Sequence, residues 1–119
     1  MITQIRAILI ADQSLMSIVK DVVPKPTDRI DNVIMYEVSP VSDDGIKQVS
    51  RVQLTTICDT EAQWGIASKR ISKLLVTKDD RPLTEMILSV VVNGGGSMYD
   101  TSREKYHKIM YLNITTRSK

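Results

Sequence analysis

The chain has 119 residues, enough for one domain around one core and too few for two. With 42% apolar and 25% charged residues it has globular composition, which argues against a disordered or membrane-embedded protein. Lysine and arginine exceed aspartate and glutamate by only 16 to 14, and a net charge of +2 is too small to mark a dedicated nucleic-acid or acidic-lipid footprint.

Ile2, Ile5, Ile8 and Leu9 recur at helical spacing and predict an opening helix. A second short helix is expected over Ser14 to Lys20, capped by Asp12, with Leu15, Ile18, Val19 and Val22 on one side. Pro24 and Pro26 disfavour helix before them, so Val23 to Asn32 is read as an extended connection. Val33 to Ser39 and Val49 to Cys58 alternate in hydrophobicity and predict an antiparallel hairpin, joined by a loop containing Pro40 and Ser42-Asp43-Asp44-Gly45. Thr60 with Gln63 forms a capping box, which opens a helix carrying Trp64, Ala67, Ile71 and Leu74 on its core face. Asp79, Asp80 and Pro82 are expected to end it.

Thr84 to Asn93 is rich in β-branched residues and apolar on both faces, so it reads as a strand covered on both sides after assembly. Gly94, Gly95 and Gly96 are read as the mobile tip of a last hairpin, whose second strand is Lys105 to Thr116. The expected fold is therefore α+β, in the order α-β-β-α-β-β. It is one domain over residues 1–119, with a largely antiparallel four-stranded sheet and helices packed on one face.

Chemistry is sparse. Cys58 is the one cysteine, which excludes an internal disulfide, and it reads as a small buried apolar side chain. His107 is the one histidine and has no neighbouring metal-ligand motif, so it reads as a surface or interface residue. The serines lack a Gly-x-Ser-x-Gly context. Asp43-Asp44 and Asp79-Asp80 lack a calcium-loop pattern and read as solvated turns. No catalytic residue, metal or cofactor is expected. Lys69, Arg70, Lys73 and Lys78 form a positive patch on the second long helix, and Tyr36, Tyr106 and Tyr111 lie on strands. Stacking of bases on those tyrosines supplies a rival reading, a small nucleic-acid-binding module using the sheet face. No apolar run reaches the roughly 20 residues of a membrane span and no secretory signal is readable, so synthesis and retention in the cytoplasm are expected.

Three features occur together: the run Arg51-Val52-Gln53-Leu54-Thr55-Thr56, a capped helix from Thr60, and a last hairpin marked by Tyr99-Asp100 and Tyr106. With the opening helix and the proline-containing approach to the first strand, they resemble the tail completion, or tail terminator, proteins of long-tailed bacteriophages over nearly the whole chain. That family has no catalytic signature. The resemblance implies a structural protein that forms a ring, commonly a hexamer, at the head-proximal end of the tail tube. The ring ends tube polymerisation and joins the tail to the head connector. Implied partners are further copies of the chain, which are monomeric before assembly in some proteins of this class, the tail tube protein and the connector. DNA is expected only as a non-specific passenger, and the mature location is the virion tail or neck.

Ring closure needs a heterologous contact. Ile87, Val91, Ile109 and Tyr111 are the expected subunit surface, because apolar strand positions exceed what short helices can cover. Asp43, Asp44 and Gly45 in one loop, and Gly94, Gly95, Gly96 and Tyr99 in another, are the expected contacts with tube or connector.

Overall fold

The computed structural model describes residues 1–25, 31–77 and 81–117. Two short helices open the chain, α1 (Ile2–Ile10) and α2 (Gln13–Met16). Strand β1 (Val22–Pro24) follows, then β2 (Val33–Asp43), β3 (Lys47–Cys58), the long helix α3 (Glu61–Leu75), β4 (Ile87–Asp100) and β5 (Lys105–Arg117). The sheet has five strands in the order β1-β2-β3-β5-β4, so the last strand lies between β3 and β4.

The caps form where side-chain chemistry dictates. The Asp12 carboxylate accepts the Leu15 amide at 3.2 Å and starts α2. Thr60 Oγ1 accepts the Gln63 amide at 3.2 Å, while Gln63 Oε1 accepts the amide of Asp59, so the capping box closes one residue further out than expected. All three helices pack on one sheet face. Ile5, Leu9, Leu15, Ala67, Ile71 and Leu75 meet Val22, Ile34, Val52, Leu54, Leu112 and Ile114 in the core. Arg6 fastens α1 to β1 through the Val22 carbonyl at 2.8 Å and Asp21 at 3.0 Å. Arg70 fastens α3 to the α2 cap through a two-pronged bond to Asp12, at 2.6 and 2.9 Å.

Four expectations change. The stretch around Val23 and Pro24 is not merely a connection, because Val22–Pro24 pairs in parallel with Ile34–Tyr36. The sheet stays largely antiparallel but has five strands where four were expected, and the parallel β1 makes it mixed. Pro40 and Ser42-Asp43 belong to β2, which kinks at a bulge between Pro40 and Ser42 but keeps pairing with β3 to Asp43↔Gln48. Gly94, Gly95 and Gly96 are not a hairpin tip. They lie inside β4, and the chain turns at Thr101–Glu104, where Glu104 takes a left-handed φ of 55°. Pro26, Lys78, Asp79 and Asp80, to which the sequence assigned breaks, charge and a turn, fall outside the described residues.

Candidate assembly surfaces

Alternation along the strands sends every second side chain to the face without helices. At one end of that face the cross-strand row Val33, Ile57 and His107 is buried outside the main core. Beside it runs a groove of about 320 Å³, with Met35, Thr55, Met98 and Ile109 among its walls. Further along, the Arg51 guanidinium sits 4.0 Å over the Tyr111 ring.

His107 is buried, not a surface residue as its sequence context implied. Its Nε2 has no hydrogen-bond partner among the described residues and stands 3.7 Å from Asp100 Oδ2. Burial holds its pKa below the ordinary histidine value, against the opposing pull of the Asp100 carboxylate. Asp100 is held anionic by hydrogen bonds from Ser102 and the Arg103 amide, which also shape the β4–β5 turn. Nothing in the sequence marked this pair. It arises from the register that sets Met98 opposite His107 and Asp100 opposite Lys105. The Cys58 thiol is buried and pushed up to about 11, chiefly by desolvation, so it has little thiolate character at neutral pH. Among the described residues no cluster of three or more metal-ligating side chains occurs, and no helix is long and apolar enough to cross a membrane.

The expected subunit surface is split. Val91, Ile109 and Tyr111 share the helix-free face, whereas Ile87 is fully buried in the core on the other side. A bulge between Ile87 and Ser89 breaks the alternation on which Ile87 was grouped with Val91. The tyrosines also fail to form one stacking platform. Tyr36 and Tyr106 lie on the helix-bearing face, with Tyr106 edge-on to Tyr99 at 4.9 Å, and Tyr111 lies on the opposite one. In the basic patch, Arg70 is committed to Asp12, which leaves Lys69 and Lys73 displayed on α3.

Two further surfaces stand out. The β2–β3 hairpin ends in an exposed turn, with residues 37–47 all exposed and Asp43, Asp44 and Gly45 at its tip. β4 is the outermost strand, and residues 91–99 are exposed along it. Thr77 bonds to its edge at Val90, and among the described residues nothing bonds to its outer edge beyond that point. Gly94, Gly95, Gly96 and Tyr99 are on this edge instead of in a loop. Gly95 is required by packing, since a Cβ there would lie 2.4 Å from the Ile109 carbonyl oxygen.

A scan against protein-family models finds no match, and a search of curated proteins finds none either. Among solved structures, the chain is similar to one from a structure titled "Virion of native gene transfer agent (GTA) particle". The TM-score is 0.69 at 16% identity, over 96% of this chain and 92% of that one. At that identity the likeness establishes a common fold, held over nearly the full length of both chains.

Proposed function

We propose that this protein is a structural virion component that forms a ring at the head-proximal end of a phage tail tube, where it stops tube growth and joins the tail to the head connector. The observation that carries this reading is the shared fold, across 96% of the chain, with a chain from the virion of a gene transfer agent particle. In this reading Val91, Ile109 and Tyr111 supply apolar surface between subunits, and the free edge of β4 around Gly94, Gly95, Gly96 and Tyr99 meets the tail tube or connector protein. Assembly takes place in the host cytoplasm and the product resides in the tail or neck.

Light scattering over a concentration series, repeated with purified tail tubes of the same particle, tests this directly. A closed oligomer, or a monomer recruited to tube ends, is the expected result. A chain that stays monomeric and ignores tubes overturns the reading.

A further inference from the structure

The ring reading requires two different patches that fit one another, and the molecule carries a complementary pair. At the hairpin tip Ile46 is 74% and Val41 59% exposed, beside the carboxylate of Asp44. The tip is rigidly turned. Asp44 Oδ1 accepts the amides of Ile46 at 2.8 Å and Lys47 at 2.6 Å, and Asp43 Oδ1 accepts the Gly45 amide at 2.9 Å. These bonds, with a smaller contribution from the charge of Lys47, hold Asp44 below the usual carboxylate range. Asp43 and Asp44 outweigh Lys47, so the tip keeps a net negative charge at neutral pH. On α3, Ile66 is 56% exposed, and Lys69 and Lys73 follow it at i+3 and i+7 on the same helix face. Neither lysine makes an ion pair among the described residues.

An exposed isoleucine on an acidic knob and an exposed isoleucine on a basic helix face match in hydrophobicity and oppose in charge. Both stay exposed within one chain, so neither covers the other there. We infer that the β2–β3 tip of one copy docks on the Ile66, Lys69 and Lys73 face of α3 in the next copy. The contact joins unlike patches, which is the heterologous type that closes a ring or runs on as a filament. Charge opposition sets its register and rate of encounter, and the isoleucines supply apolar burial. The inference rests on the ring reading and is separable from it.

The test places cysteines at Ile46→Cys and Ile66→Cys. Cys58 is buried and does not compete. The double variant, oxidised with and without tail tubes, is expected to give a ladder of disulfide-linked copies that ends at the ring size, and either single variant gives no ladder. A charge exchange reads the same contact. Asp44→Asn with Ile46→Lys on the tip, and Lys69→Glu with Lys73→Glu on the helix, each raise the concentration needed for assembly by about tenfold or more. The four changes combined restore it, since lysine then faces glutamate. Asparagine keeps an oxygen acceptor for the Ile46 and Lys47 amides, and Ile46, Lys69 and Lys73 are exposed, so circular dichroism should match the wild type, with at most a small loss in melting where Lys73→Glu faces Asp12. If the wild type assembles but the ladder is missing and both charge variants assemble normally, this contact is wrong and the ring reading stands. A wild type that stays monomeric and ignores tubes overturns both.

Discussion

The two edges of the sheet are built in opposite ways. On the β2 side, β1 covers the strand over Ile34–Tyr36, and the Lys25–Glu37 ion pair at 3.3 Å follows. Beyond it, Pro40 takes over. The Ile34 amide bonds outward to Asp21 and the Tyr36 carbonyl accepts outward from Lys25, so even-numbered residues turn their backbone groups to this edge. Pro40 therefore places its missing N–H where another strand would pair, and the bulge after it twists the edge away. On the β4 side, Ile87 to Tyr99 contains no proline and no charge, and Val91, Val92, Met98 and Tyr99 are all exposed. One edge is closed to strand addition and the other is left open to it.

The largest test of this contrast is steric. Gly95→Val drives a side chain into the Ile109 carbonyl and should cost roughly 2–3 kcal/mol in urea unfolding, because β4 must separate from β5 or shift. Gly96→Ala, next along the same edge with open space around its Cβ position, should change stability by less than about 0.5 kcal/mol. Equal losses at both positions would break the account of why β4 runs so close to β5.

The next effect is functional. Val92→Lys puts a gatekeeper charge on the open edge, and should abolish tail joining in an in vitro complementation assay while leaving the urea midpoint unchanged. The mirror experiment is Pro40→Val, which restores an outward N–H to the guarded edge. It should raise self-association at high concentration, read by light scattering, with little change in folding stability.

The smallest effect is a pH dependence beside the open edge. The folded-state pKa of His107 lies below its unfolded value, so above that unfolded value both states are neutral and stability is complete. As pH falls from about 6.5, the usual histidine value, the unfolded chain takes up the proton first and stability declines until the folded pKa is passed. His107→Gln should flatten the urea midpoint over that window. An unchanged slope would show that another group carries it.

These elements were unequally legible in the sequence, and the reasons are local. The Thr60 cap and the β2–β3 alternation are short-range patterns and formed where expected, whereas the α3 stripe holds at Ala67 and Ile71 but closes on Leu75, leaving Trp64 and Leu74 half-buried. Tertiary context decided the rest. Three residues ending in Pro24 carry no strand period, and only the exposed flank of β2 makes them a strand. The glycine triplet has the composition of a turn, but close approach to Ile109 is what it serves at Gly95, while the true turn at Thr101–Glu104 contains no glycine. Bulges account for the rest of the site. Val91, Ile109 and Tyr111 share one face of the sheet, and Ile87 falls on the other because a register shift lies between it and Ser89.

The place of β5 has a consequence for how the molecule comes into being. It lies between β3 and β4, yet its residues begin only at Lys105. Until they are synthesised, the growing chain holds a β2–β3 hairpin and a separate β4 with no hydrogen-bonding neighbour, and Leu112 and Ile114 are missing from the core. A nascent chain halted earlier has neither a closed core nor the open edge at its proper distance from the hairpin tip. The closed core and the paired β4 thus arise together, once β5 is in place.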